Sequence, residues 1–561
     1  MNLTRPAALC ALSTLLMGCV SAPEPVTAIE PGTSGAKHYA GFGSFERTIT
    51  TDSAEAQRWF NQGMQLLYGF NHDEAIRSFQ EAAALDPAAP MPWWGIAYAH
   101  GININDAEMN ELRSTEAYRA AQEASRLRDN ASPTEQALID AVVARYAWPI
   151  PSDRTHLDEA YAHALHNAYK QFPHDPDVGA LYAESMMNLQ PWDYWTETGE
   201  PKGRIERIVQ TLEHVLRYHP DHPGANHFYI HAVEASLNPD RAVPAAERLT
   251  GLVPGSGHLV HMPSHIFIRV GRYDDAAQSN TDAVAADRAY FAEAPDPAFY
   301  AIYYAHNLHF LAYASMMSGQ YERAIQAARD LENEMPEAPL RENAALIEGI
   351  MPTTLHVMIR FGKWEEILEE PDYPEWRRVS RAVRHYARSI AYSALGSTDE
   401  ARAELELFEE AFALVPDDWM VFNNRIDQVL PIARAMINGE LLFREGKHSE
   451  AFQHLLEGIE YEDQLVYDEP PAWMLPVRHA LGALLMSAGR HAQAERVYRA
   501  DLEKNRDNGW ALLGLQLSLE AQGKNGEALR VADRFAEVWQ NADTMPTSSC
   551  FCEPGPGIAG R

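Results

Sequence analysis

Two pairs of histidines in the middle of the chain have the spacing of a metal-binding site. His227 and His231 are four residues apart, and so are His261 and His265. Residues four apart on a helix share one face, so each pair presents two imidazoles side by side. Corresponding members of the two pairs are separated by 34 residues. If that interval is a structural repeat, the four imidazoles converge from neighbouring helices.

Further candidate ligands surround these pairs, namely His258, His306, His309 and Glu234. Because neutral imidazole suits Zn, Cu, Fe and Ni, we predict a transition metal ion here, with Zn, Cu or Fe as the candidates. The imidazoles outnumber the ligands of one four-coordinate site, so either some of them only orient the ligands or more than one metal binds. The sequence has no His-Glu-x-x-His, so the helical zinc-protease motif is not implied.

The elements that must position these residues are predicted to be helical hairpins. Small, aromatic and helix-ending residues recur at the spacing of a helix-turn-helix repeat, in Gly63, Ala75, Phe79, Ala82 and Pro87. A turn in which Ala follows Gly by five residues occurs at Gly271, Gly319, Gly396, Gly446, Gly489 and Gly523. The interval from Ala494 to Ala528 is again 34 residues.

On these motifs the chain resembles the tetratricopeptide-repeat (TPR) superfamily between about residues 54 and 540. The resemblance implies an all-α fold, a right-handed superhelical solenoid of TPR-like helix-turn-helix repeats. It also implies a concave groove, lined by the first helix of each repeat, that usually binds a peptide or protein segment. The histidine segments are similar to a motif of poorly characterised bacterial TPR proteins, for which the resemblance gives no established activity.

The TPR resemblance also implies which face the candidate ligands occupy. Repeat positions 2, 5, 9 and 12 face the concave groove in TPR proteins. In this sequence those positions hold His227, His231, Glu234, His258, His261, His265, His306 and His309. His356 also falls at position 9, and His100 and Glu184 are weaker candidates to approach the cluster.

The first residues are predicted to form a targeting segment. Arg5 precedes a mostly apolar stretch, residues 7–17, that is too short to span a bilayer stably. Leu16-Met17-Gly18-Cys19 resembles a bacterial lipobox. This implies cleavage before Cys19, lipidation of that cysteine and, since Val20 follows, an outer-membrane location facing the periplasm. The alternative is ordinary signal-peptidase cleavage after Ala22.

The chain is therefore predicted to have four parts. Residues 1–18 are a lipoprotein signal peptide, and 19–50 a flexible tether, rich in Ala, Pro, Ser and Gly. Residues 51–540 are the solenoid, with a His-rich central groove at about 223–360, and 541–561 are a C-terminal tail. In that tail, Cys550 and Cys552 either bind a soft metal or cycle redox, or form an incidental or disulfide-bonded end. The segment Gln190–Trp195 interrupts the repeats and is predicted to be a loop over the groove.

Composition limits the partners. The chain has 46 Lys and Arg against 79 Asp and Glu, a formal charge of -33. This excess argues against nucleic acid, whose phosphates it repels, and against a basic face for anionic lipids. Membrane contact is therefore expected only through the N-terminal lipid anchor.

Three functions are compatible with these features. The first is an envelope-tethered scaffold that binds a transition metal on its concave face, for metal handling or for binding a peptide or envelope protein. The second is a metal-dependent enzyme, hydrolytic or oxidative, that uses the same histidines with Glu234 as ligand or base. The third is a metal-free TPR adaptor. The sequence contains neither a P-loop nor a Gly-x-Ser-x-Gly elbow.

Overall fold

The computed structural model describes residues 23, 24, 26, 29–196, 198–294 and 298–552. Over these residues the protein is a solenoid of antiparallel helical hairpins, which confirms the predicted all-α, TPR-like fold class. One small ladder within these ranges pairs strand β1 (Met420–Val421) with strand β2 (Asn424–Arg425). No helix in the described ranges is both long and apolar enough to cross a membrane. The predicted signal peptide and the lipidation site Cys19 lie outside the described residues.

Most of the helices follow one another with short connections. In the first part of the described chain they are α1 Ala54–Tyr68, α2 His72–Leu85, α3 Met91–Ala99, α4 Glu111–Arg126, α5 Pro133–Ala144, α6 Thr155–Gln171, α7 Pro176–Met187, α8 Ile205–Tyr218, α9 Pro223–Val233 and α10 Val243–Leu252. In the middle they are α11 Gly257–His261, α12 Pro263–Arg269, α13 Tyr273–Glu293, α14 Ala301–Met317, α15 Tyr321–Glu334, α16 Glu337–Glu342, α17 Ala344–Ile347, α18 Thr353–Arg360 and α19 Trp364–Glu369. The last part contains α20 Arg378–Ala394, α21 Thr398–Phe412, α22 Ile426–Arg444, α23 His448–Asp463, α24 Val477–Ser487, α25 His491–Lys504, α26 Gly509–Ala521 and α27 Asn525–Val538.

Glycines make the turns between paired helices, as the sequence predicted. All six glycines of the recurrent Gly-to-Ala motif have a positive φ, between 71° and 83°. Gly271, for example, joins α12 to α13 in this conformation. A side chain at such a position is strained, whereas glycine adopts it freely.

Small residues allow the first helices to pack closely around one aromatic ring. Ala75, Phe79 and Ala82 of α2 are fully buried. A Cβ on Gly63 of α1 would lie 2.4 Å from Cε1 of Phe79, and one on Gly95 of α3 would lie 2.7 Å from Cγ of the same ring. The Phe79 ring therefore fills the space among three successive helices, in the role that the TPR resemblance implied for it.

The C-terminal repeats return to contact the central ones. The indole nitrogen of Trp510, on α26, donates to the carbonyl oxygen of Met316 on α14 (2.8 Å). Arg506 pairs with Asp240, before α10, at 2.7 Å. The solenoid thus makes a closed turn in which residues distant in sequence can reach the central helices.

The N-terminal segment differs from the prediction. A flexible tether was expected over residues 19–50, but residues 29–50 lie against the solenoid. Gly255 N donates to the carbonyl oxygen of Gly41 (2.8 Å), and Arg47 pairs with Asp177 on α7 (2.6 Å). Phe42 is buried as well. The prediction is therefore wrong for these residues. The segment is held by single residues such as Arg47 and Phe42, which its overall composition does not indicate.

The C-terminal tail also packs against the body as far as it is described. Cys550 and Cys552 are joined in a disulfide, the disulfide-bonded alternative of the sequence analysis. Ser549 is fully buried and its hydroxyl donates to the carbonyl oxygen of His479 (2.8 Å). Phe551 lies against Gly362. Because the two sulfurs are bonded to each other, they are not available here as thiolate ligands.

Candidate metal centre

Six of the predicted ligands come together in two groups of three. Helix α9 packs against α12, and α11 packs against both α12 and α14. Within each group, one ligand atom per residue lies within 4.8 Å of the others. The first trio is His227, His231 and His258, and the second trio is His261, His265 and His306. All are buried except His306, which is half-buried.

The first trio combines α9 with the start of α11. Nε2 of His227 lies 3.2 Å from Nε2 of His258. On its other side, His227 Nδ1 lies 2.7 Å from the carbonyl oxygen of Tyr68. A carbonyl only accepts, so Nδ1 carries the proton and Nε2 presents a lone pair. Nε2 of His231 is buried and meets no hydrogen-bond partner among the described residues.

The second trio combines α11, α12 and α14. The Nε2 atoms of His261 and His265 are 2.8 Å apart. His261 Nδ1 lies 2.7 Å from Oδ1 of Asn280, whose amide nitrogen donates to the Ala276 carbonyl. That second bond fixes the orientation of the amide, so Oδ1 accepts from His261. His306 completes this trio, with its ring centroid 4.7 Å from that of His261.

Two carboxylates contact the second trio at His265 Nδ1, the outer nitrogen, which lies across the ring from the Nε2 that faces His261. Nδ1 of His265 lies 2.7 Å from Oε2 of Glu469 and 3.2 Å from Oε2 of Glu234. Glu234 also reaches Nδ1 of His231 at 3.0 Å. Carboxylates that hold the outer nitrogen of a histidine are a regular feature of metal sites, where they fix the ring and its tautomer.

Sequence reasoning found Glu234 but missed Glu469. The latter lies between α23 and α24 and is 204 residues from His265. It reaches the cluster because the solenoid closes on itself, and no local spacing in the sequence signals that contact. Tyr467 and Arg269 accompany it, the tyrosine hydroxyl through a hydrogen bond and the guanidinium by stacking on the Tyr467 ring.

The two trios form one continuous layer of imidazoles. The ring centroids of His231 and His265 are 5.7 Å apart, and those of His258 and His261 are 6.0 Å apart. These distances place the second trio directly beside the first. The 34-residue relation predicted from the sequence therefore corresponds to real proximity.

Burial keeps these imidazoles neutral. It lowers the pKa of His227, His231, His258, His261 and His306 well below the ordinary value, and neighbouring imidazoles lower it further. Burial also raises the pKa of both Glu234 and Glu469 to about 8. Neutral rings with converging lone pairs are the form in which histidine binds metal.

Aromatic side chains enclose the cluster. The ring centroid of Phe70 lies 4.6 Å from that of His227, and that of Tyr303 lies 4.4 Å from His258. Trp192 meets His231 at 5.2 Å. Trp192 belongs to the segment predicted as a loop over the groove, and residues 188–196 and 198–204 are non-helical.

Four further candidates stay outside both trios. His309 is buried against Phe422, with ring centroids 5.6 Å apart, and burial lowers its pKa to about 3. His356 packs against Trp473 at 5.2 Å. The other two, His100 and Glu184, also belong to neither trio. His309 therefore belongs to neither trio, although the sequence predicted it as a ligand.

Comparison with known proteins identifies no family. No family profile matches the sequence, and no curated protein matches it. Among solved structures, the human IFIT1 dimer with m7Gppp-AAAA aligns at 12% identity and a TM-score of 0.31, over 80% of this chain and 90% of that one. The human IFIT1 dimer with PPP-AAAA aligns at 12% identity and a TM-score of 0.29, over 87% and 95%. At these values the likeness assigns neither a family nor a ligand to this chain.

Proposed function

We propose that this protein is a transition-metal-binding α-solenoid, in which the two histidine trios hold metal inside the helical scaffold. The contact that carries the proposal is the 2.8 Å approach of Nε2 of His261 to Nε2 of His265. With Asn280 accepting from His261 and the ionised form of Glu469 accepting from His265, both facing nitrogens present lone pairs. Two lone pairs this close repel each other unless a cation lies between them.

The geometry of the first trio supports the same conclusion. A tetrahedral ion with metal–nitrogen bonds of 2.0–2.1 Å separates its nitrogen ligands by about 3.3 Å. His227 and His258 already have their Nε2 atoms 3.2 Å apart. In the second trio the separation has to grow by about half an ångström, which a small rotation of either ring provides.

The competing explanation places a proton where the metal would be. In that case the carboxyl of Glu469 is protonated and donates to His265 Nδ1, and Nε2–H of His265 donates to His261. This arrangement leaves Nε2 of His231 buried without a partner among the described residues. An unpaired buried nitrogen costs free energy that a metal bond removes.

The surroundings favour retention of the metal over rapid exchange. Five of the six imidazoles are buried, so an ion reaches them during folding or after local opening. We therefore favour metal storage or delivery at the cell envelope, with a lipid on Cys19 as the anchor. An enzyme that uses the same histidines is the second candidate, because Glu234 and Glu469 place proton-bearing groups beside the site.

Elemental mass spectrometry tests the proposal. The chain is purified without a histidine tag and its metal content is compared with that of His231→Ala combined with His265→Ala. His356→Gln is the matched control, since it removes a buried histidine outside both trios. We expect near-stoichiometric metal in the parent and the control, and its loss in the double variant. Absence of metal from the parent, even after Zn, Cu and Fe are supplied, contradicts the proposal and favours the metal-free adaptor.

A further inference from the structure

We propose that the cluster is a dinuclear copper centre, with one copper(I) ion held by each trio. This inference rests on the proposed function, which requires only that some transition metal bind. It adds the number of ions, the element and the division of ligands between them.

The arrangement of nitrogens indicates two ions. Ring nitrogens converge at two separate points, 3.2 Å apart between His227 and His258 and 2.8 Å apart between His261 and His265. Each point has a third imidazole within 4.8 Å, from His231 in one case and His306 in the other. If only one ion binds, at either point, the other three imidazoles have no ion to coordinate.

The donor set indicates copper(I). Each trio offers three imidazole nitrogens, while the nearby carboxylates of Glu234 and Glu469 contact the outer nitrogens of His231 and His265. Zinc sites are almost always four-coordinate, so zinc needs a fourth ligand in each trio. Copper(I) is stable with three nitrogen ligands in a plane, and the rings of Phe70 and Tyr303, which pack on His227 and His258, restrict the access of water as a fourth ligand to the first trio.

Charge also favours monovalent ions. Two adjacent ions repel in proportion to the product of their charges, so two monovalent ions repel about four times less than two divalent ones. Glu234 contacts Nδ1 of His231 in the first trio and Nδ1 of His265 in the second, and Glu469 contacts Nδ1 of His265.

An anaerobic copper(I) titration against a chromophoric chelator tests the stoichiometry in the full chain. We expect two ions in the parent and in His356→Gln. We expect one ion in His231→Gln with His258→Gln, and one in His265→Gln with His306→Gln. Circular dichroism establishes that each variant remains helical.

A second measurement does not depend on the variants. After the copper-loaded parent is oxidised, electron paramagnetic resonance should show a magnetically coupled copper(II) pair, with far less than two isolated spins per chain. Uptake of one ion, or two uncoupled spins, overturns the dinuclear proposal and leaves the proposed function intact. Tight binding of zinc alone does the same, whereas absence of every metal overturns both.

Discussion

A histidine in the C-terminal repeats and the histidines of the central repeats occupy equivalent positions but differ in what their nitrogens do. His479 lies at repeat position 5, as do His227 and His261. It is buried, with Nδ1 accepting from Arg360 (3.1 Å) and Nε2–H donating to Asp501 (2.9 Å). Both of its nitrogens are satisfied by protein, so it serves as a polar residue of the core.

His227 and His261 use only their outer nitrogen, Nδ1, in this way. His227 is held by the Tyr68 carbonyl and His261 by Asn280, while their inner nitrogens face other imidazoles. Burial and repeat position therefore do not distinguish a ligand from a packing residue. The difference is an inner nitrogen that faces other imidazoles and for which the surrounding protein supplies no donor.

Metal saturation should stabilise the parent but not the double variant His231→Ala with His265→Ala. At a free metal concentration a thousand times the Kd, the expected gain is about 4 kcal/mol. Chemical denaturation with and without a chelator measures it. An equal response of parent and variant would show that metal binds elsewhere.

Replacing His479 by leucine should lower the stability of the fold and leave metal binding unchanged. It leaves the Asp501 carboxylate without its ring partner in a fully buried position, at a cost of about 3 kcal/mol in the free energy of unfolding. Denaturant unfolding gives this value, and elemental analysis should show unchanged metal. A loss of metal in a variant that is still folded would mean that the two regions are not distinct.

Asn280→Ala should weaken metal binding without removing any ligand. The variant frees the His261 ring to rotate and to change tautomer, so the metal Kd should rise about 10- to 100-fold. Asn438→Ala is the matched control, since Asn438 makes the same bond to a carbonyl four residues earlier. Competition with a chelator measures both, and equal Kd values would rule out a positioning role for Asn280.

His309→Leu should have the smallest effect. Nδ1 of His309 has no hydrogen-bond partner among the described residues, so an apolar side chain of similar size changes stability by less than about 1 kcal/mol. Metal content should equal that of the parent. A fall in metal content would restore His309 to the ligand set that the sequence predicted.

The sequence was informative wherever the determinant was local or periodic. The Gly-to-Ala spacing predicted the hairpin turns, and the 34-residue interval predicted that His227, His231, His261 and His265 lie close together. Periodicity fixes which face a residue occupies, but not where its ring points, so it grouped His309 with the ligands. The packing of residues 29–50 was missed because it depends on single anchors such as Arg47.

Glu469 shows a second limit of prediction from the sequence. Its contact with His265 spans 204 residues and exists only because the last repeats meet the middle ones. A repeat frame describes neighbours along the solenoid and carries no information about contacts across it. The outer carboxylate of the second trio therefore required the three-dimensional structure.

The closed turn of the solenoid also affects how the protein is expected to unfold. In an open repeat array each unit touches only its neighbours, so the ends fray first and stability is a sum of local terms. Here the bonds from Trp510 to Met316 and from Arg506 to Asp240 tie the final repeats to the middle. Opening those repeats withdraws support from the central helices, which couples the ends to the centre. We therefore expect a single cooperative unfolding transition, in which loss of the C-terminal repeats and release of bound metal coincide.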